Sequence, residues 1–187
     1  MIIDEKIIGT NIYLRSLGKE DVTARYVDFL NDAQVNAYME TRFQQWNNES
    51  IWRYLQSMNT SNDNLMMGIF TKEHVHIGNI KCGPIHPIHR FSSLSLFIGD
   101  KNYWGKGIAT EAIRLMCCYS FEKFNLYKIS AGMYLSNTGS LRAFLKVGFQ
   151  LEGIFKNHYQ LNDKERTDVL QVGITKEHFQ TLPKNML

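Results

Sequence analysis

Gly105 and Gly107, separated by Lys106 and followed at once by Ile108, Ala109 and Thr110, offer the clearest chemical use in this chain. Glycine lacks the Cβ that holds a ligand away from the main chain, and it adopts backbone angles other residues avoid. If a helix starts directly after the pair, its first-turn N–H groups point outward without partners. Those donors and the positive end of the helix dipole favour an anion, and Lys106 adds charge at the rim. The expected ligand group is a phosphate or pyrophosphate.

Spacing separates the known ways of building such a cradle. A Walker loop needs Gly, four residues, then Gly-Lys-Ser/Thr, whereas Lys106 is followed by Gly107. A dinucleotide fingerprint needs a further Gly or Ala where Thr110 stands, and an acidic residue on a strand about twenty residues on, which is missing. The run Trp104 to Ala109 resembles the acyl-CoA loop of the GNAT N-acetyltransferase superfamily, Gln/Arg-x-x-Gly-x-Gly/Ala, at every position but the first. Asn137 to Phe149 resembles the superfamily's next motif, an Asn three residues before a Ser and then a short helix ending in Lys-x-Gly-Phe. Tyr103-Trp104-Gly105-Lys106-Gly107 is similar to the branch resembling ribosomal-protein N-terminal acetyltransferases. Ile12 to Leu17 with Asp21 resembles the family's first strand and turn, so the similarity covers most of the chain.

The resemblance implies acetyl transfer from acetyl-CoA to a primary amine, on a protein N-terminus or a small molecule, by direct transfer in a ternary complex. It places the cofactor diphosphate on Trp104, Gly105, Lys106, Gly107, Ile108, Ala109 and Thr110. Asn137, Phe144 and Lys146 follow the cofactor's path, and N–H groups near Phe97 and Ile98, freed by a bulge in that strand, face the thioester. Many relatives protonate the departing thiolate with a Tyr where this chain has Phe144, which has no proton to give. Ser140 is the substitute in the branch named above; by residue chemistry alone, Asn137 and Ser140 read equally as a helix cap. His158 is the candidate base, since a neutral imidazole of pKa about 6.5 accepts a proton near pH 7; a cross-strand surface histidine is the other reading. An α-amine of pKa about 7.7–8.0 would need only a weak base or a water chain. Glu40, Arg42 and Phe43, with Trp46 and Trp52, fall where the family builds one wall of the acceptor cleft, or else form an aromatic packing patch. Arg42 keeps open an anionic acceptor, an amino sugar linked to a nucleotide. Phe144 also admits a catalytically silent acyl-CoA-binding module.

These residues need a frame to position them. Leu94 to Gly99 reads as a strand, and Ile108, Ala112, Leu115, Met116 and Tyr119 recur at helical spacing through Phe124. Lys19 to Leu30, Gln34 to Glu40 and Glu49 to Met58 read as helical, and Asn59 to Asn64 as a turn. Leu65 to Thr71, His74 to Cys82 and Phe91 to Gly99 suit antiparallel strands, and Tyr127 to Met133 a strand between the two motif helices. Gln150 to Gln160 and Arg166 to Ile174 form a closing hairpin over the polar turn 161–165. The expected fold is a mixed, mainly antiparallel α/β sheet flanked by helices, which the family splays where its halves meet. It forms one domain over 1–187.

A chain of 187 residues, 44% apolar and 21% charged, buries a core without staples. A net charge of +3 without a Lys/Arg block argues against a nucleic-acid partner. With no apolar run near the roughly 20 residues of a membrane span and no signal-like start, a membrane is not expected and the cytoplasm is the default location. Cys82, Cys117 and Cys118 suggest reduced thiols rather than disulfides. His86 and His89 share a loop without further ligands, so no metal is expected. The acceptor's identity and the oligomeric state stay open, a homodimer included.

Overall fold

The computed structural model describes residues 1–162 and 164–183. Asp163 in the closing turn and the last residues of the expected domain, 184–187, lie outside the described residues. Eight strands form one sheet in the order β1-β2-β3-β4-β5-β6-β8-β7. They are β1 (Ile7–Ile8), β2 (Ile12–Arg15), β3 (Leu65–Thr71), β4 (His76–Cys82), β5 (Phe91–Ile98), β6 (Lys128–Tyr134), β7 (Gln150–Gln160) and β8 (Arg166–Thr175). The helices are α1 (Ala24–Asn31), α2 (Asn48–Thr60), α3 (Ile108–Lys123), α4 (Thr138–Val147) and α5 (Lys176–Thr181).

Side chains alternate between the faces of a strand, and each face of this sheet has its own cover. Ile12, Leu14, Met67 and Ile69 join Ile113 and Met116 of α3 in one core. Tyr13, Met66 and Phe70, from the alternate positions, join Tyr26 of α1 and Ile51 and Leu55 of α2 in another. Coverage on both sides explains why every residue of β3 is buried. Arg15 ties β2 to the turn at Lys19–Asp21 through a two-pronged pair with Asp21, at 2.7 and 2.6 Å.

Among the described residues only β5 and β6 run parallel, joined by the α3 crossover, and their ladder covers just Phe91, Ser92 and Ser93 against Lys128, Ile129 and Ser130. Every other neighbouring pair is antiparallel. The mixed, mainly antiparallel sheet agrees with the sequence expectation. Two expected helices differ: Lys19 to Leu30 is divided into a 3₁₀ turn at Lys19–Asp21 and α1, whose N-cap is Thr23, and Gln34 to Glu40 folds as successive turns, with a 3₁₀ turn at Glu40–Phe43. There the Asp32 carboxylate accepts from Gln34 N, and Asn36 Nδ2 donates to Leu30 O, local bonds that compete with helix. The short β1 and α5 were not anticipated. Among the described residues no helix is long and apolar enough to cross a membrane.

Candidate active site

The glycine turn lies between the end of β5 and α3. Gly105 has φ of +73° and Gly107 +83°, in the left-handed region that favours glycine. A Cβ at either would meet nothing within 4 Å, so open space stands over the main chain. Gly107 caps α3, and the first intrahelical bond is Glu111 N to Gly107 O at 3.0 Å, which leaves the Ile108, Ala109 and Thr110 amides at the open helix end. Glu111 would repel an anion there, but its carboxylate is turned to β2, accepting from Asn11 N at 2.8 Å and Asn11 Nδ2 at 2.9 Å. Trp104 pins the turn to the sheet by donating Nε1–H to Ile98 O at 2.7 Å. Lys106 is exposed, with Nζ 5.8 Å from the Tyr103 ring centre.

Beyond Ser93 the sheet opens. Ser93 and Ser130 hydroxyls lie 3.1 Å apart at the last paired position, and from Leu94 to Ile98 β5 pairs with β4 alone. Gly83 N donates to Ser93 O and Gly99 N to Ile77 O. Antiparallel alternation therefore turns the main-chain groups of Ser95 and Phe97 toward β4 and those of Leu94, Leu96 and Ile98 to the other side, where the last ladder bond takes the Leu94 amide and those of Leu96 and Ile98 face the opening. The expected bulge in β5 is not found: its register with β4 is continuous from Cys82↔Leu94 to Gly78↔Ile98. Divergence of β6 frees amides of β5 without one. Ile98 faces the opening with its main chain, whereas Phe97 reaches the cleft wall with its ring.

A cleft of about 360 Å³ fills the opening, between Leu94, Leu96 and Phe97 on one side and Met133, Tyr134, Asn137 and Ser140 on the other. Asn137 Oδ1 accepts from Ser140 N at 3.1 Å, so the pair does cap α4. The cap uses the Ser140 amide, and its hydroxyl makes no hydrogen bond to any described residue. Phe144 lines the cleft floor, buried edge-on against Phe149 at 4.9 Å. Lys146 is exposed in the last turn of α4 and lies apart from the cleft lining.

The opposite wall departs from expectation in two places. His158 sits on a bulge of β7, where the register with β8 shifts between Phe155 and Tyr159, and Asn157 takes a φ of +49°. Asp168 holds that bulge by accepting from Asn157 N at 2.9 Å and pairing with Lys156 at 2.8 Å. The bulge leaves the His158 ring exposed and outside the lining, and Tyr159 takes the place in the cleft. Arg42 has its guanidinium occupied by Met39 O at 3.0 Å, the Tyr134 hydroxyl at 2.8 Å and Gln160 O at 2.9 Å. It also stacks 4.1 Å from the exposed Phe43 ring. Arg42 is thus a clip between the 40–43 turn, β6 and β7, with little left for an anionic acceptor. Trp46 is buried beneath, its Nε1–H donated to Thr41 O at 3.1 Å, while Trp52 packs among α1 and α2.

Glu40 is brought into the site by a residue that sequence reasoning missed. The Tyr134 hydroxyl donates to Glu40 Oε1 at 2.5 Å and receives from Arg42. Burial raises the Tyr134 pKa, the Glu40 bond raises it further and Arg42 opposes both, so the phenol stays neutral. Glu40, with 62% of its side chain exposed, retains carboxylate surface toward the cleft among the rings of Tyr38, Tyr134 and Tyr159. The sequence clue to Tyr134 is its place directly after the expected strand Tyr127 to Met133, three residues before Asn137.

The Acetyltransferase (GNAT) domain model matches residues 11–150. The chain is 39% identical to the Probable N-acetyltransferase YjcK of Bacillus subtilis over 51% of its own length and 53% of that protein's. It spans about half the length of the first curated relatives it matches. Among solved structures, spermidine N-acetyltransferase from Vibrio cholerae in complex with CoA and spermine superposes with a TM-score of 0.82 at 21% identity, over 92% of this chain and 100% of that one. Mycobacterium smegmatis RimJ in complex with CoA-disulfide gives 0.77 at 22% identity, over 89% and 82%.

Proposed function

The chain belongs to the GNAT acetyltransferase family, and from that premise we propose that it transfers an acetyl group from acetyl-CoA to a primary amine in a ternary complex. The observation that carries the reading is the continuity of glycine turn, unpaired β5 edge and cleft: an anion cradle, a main-chain surface for an amide-bearing arm, and a pocket at its end. Open space where a Cβ would stand lets a diphosphate approach the Ile108, Ala109 and Thr110 amides, with Trp104, Gly105, Lys106 and Gly107 around them. Leu96 and Ile98 would hold the pantetheine arm from β5, and Asn137 from the cap of α4.

Acetyl-CoA supplies an acyl carbon activated as a thioester. Transfer forms an N–C bond and breaks the C–S bond, so the amine loses a proton and the sulfur gains one. The Ser140 hydroxyl serves the sulfur, since Phe144 cannot and the α4 cap leaves that hydroxyl available. Glu40 receives the amine as an ammonium among the tyrosines, and its proton leaves to solvent through the open side of the cleft. His158 is given no part in this path.

A carboxylate among aromatic rings selects a cationic or α-amino acceptor over an anionic sugar nucleotide. The spermine bound by the Vibrio cholerae relative supports the first kind. The Tyr103-Trp104-Gly105-Lys106-Gly107 run, similar to the ribosomal-protein acetyltransferase branch, supports an N-terminal α-amine. The test is a mass-shift screen over polyamines, peptides with free N-termini and amino sugar nucleotides, with calorimetry of CoA binding. Acetylation of a polyamine or a peptide N-terminus is expected. CoA binding with no transfer to any amine would favour the silent binding module, and absence of CoA binding would remove the reading altogether. Ser140→Ala is expected to lower kcat roughly 100-fold at unchanged CoA affinity.

A further inference from the structure

Behind the cleft runs a buried polar chain that the path above does not use. Tyr26 of α1 is 1% exposed and Asn79 of β4 is 3% exposed, and both line the cleft. Asn79 Nδ2 donates to the Tyr26 hydroxyl oxygen. His76 Nε2 lies 2.8 Å from Asn79 Oδ1 and 3.0 Å from Gly78 O.

The direction of this chain follows from one atom. A carbonyl oxygen only accepts, so Gly78 O requires that His76 Nε2 carry the hydrogen. The same nitrogen must then face an acceptor on Asn79, which puts Oδ1 toward His76 and the Nδ2 donor toward Tyr26. The Tyr26 oxygen is thereby an acceptor within the chain, and its own hydrogen is left over. Among the described residues that hydrogen meets no acceptor, although a buried donor without a partner is costly. Tyr26 stacks beside Phe97, ring centres 6.5 Å apart, next to the stretch of β5 whose amides face the opening.

We propose that the Tyr26 hydroxyl donates a hydrogen bond to the acyl oxygen of bound acetyl-CoA, and that Asn79 and His76 position it by fixing its hydrogen toward the cleft. The inference rests on the acyl-CoA reading of this cleft. No proton is transferred: burial raises the Tyr26 pKa far above neutrality, and the phenol remains a donor throughout. Negative charge that grows on the acyl oxygen strengthens the bond, which a preorganised donor in a water-poor site converts into rate.

Tyr26→Phe keeps the ring in the core and deletes only the donor. Isotope-edited infrared spectroscopy of acetyl-CoA labelled at the carbonyl carbon reads the bond without turnover. In the wild type the bound carbonyl band is expected at lower wavenumber than in Tyr26→Phe, and kcat in the variant falls roughly 10- to 100-fold with CoA affinity unchanged. Asn79→Asp presents a carboxylate that takes the Tyr26 hydrogen, and its band is expected to move with that of Tyr26→Phe. Identical bands in wild type and Tyr26→Phe would overturn the donor; a wild-type band in Asn79→Asp would overturn its positioning. Failure of the wild type to bind acetyl-CoA would instead remove the underlying functional reading, and the donor with it.

Discussion

At Gly107 the constraint is conformational and not steric. Its φ of +83° lies where a side chain is strained, yet the space a Cβ would enter is open. Gly107→Ala is therefore expected to cost roughly 1–2 kcal/mol of stability and, by relaxing the turn and closing that space, to weaken CoA binding at least about tenfold. Calorimetry beside a thermal melt separates the two effects. Arg42 shows the opposite situation, in which a charge suited to a ligand is consumed by the protein. Arg42→Ala removes bonds to Met39, Tyr134 and Gln160 and so frees the 40–43 turn. Acceptor KM should rise about tenfold while CoA affinity holds, as expected for loss of charged hydrogen bonds; a parallel loss of CoA binding would refute the clip.

At the scale of elements, two buried polar contacts fasten strands to the pieces around them. Burial pushes the Asp21 pKa up, but the Arg15 pair and the Gly18 amide more than offset it, leaving the carboxyl below its usual range. Its stabilisation is present above about pH 4 and is lost as pH falls through the lower folded value. Asp21→Ala should cost about 3 kcal/mol, because Arg15 loses a partner in a half-buried setting. His76 behaves differently. Burial among Tyr26, Phe29 and Phe70 depresses its pKa, with Arg15 adding to the depression and Asn79, Asp21 and Gly78 O opposing it. The unfolded chain then binds the proton more readily, so stability should decline as pH drops below about 6.5. Urea midpoints followed from pH 8 downward should show this slope, and His76→Leu should flatten it.

At the scale of the whole molecule, the proposed function rests on a defect in pairing. An eight-stranded sheet held together at its centre by a three-residue parallel ladder leaves that edge of β5 without a strand partner beyond Ser93. Hydrogen exchange should find the Leu96 and Ile98 amides fast in the free protein and the Ser95 and Phe97 amides slow. CoA should slow the first group; equal protection of both groups without ligand would mean that the sheet does not open as described.

What the residues determined alone was local. The glycine turn, the helix after it and the Asn137 cap each arise from neighbours in the chain, whose backbone angles and hydrogen bonds are set within a few residues. The patterns of β3, β4 and the closing hairpin were legible for the same reason, since alternation and turn chemistry are short-range signals. Gln34 to Glu40 misled because Asp32 and Asn36 side chains captured main-chain groups that a helix would have used. The side-chain bonds around the cleft were beyond reach: Tyr134 meets Glu40 across 94 positions and Asn79 meets Tyr26 across 53. Turning His158 outward likewise required the register of β7 on β8. Tertiary structure decided these because a cleft is made by the relative placement of distant strands, and no short stretch of chain carries that placement.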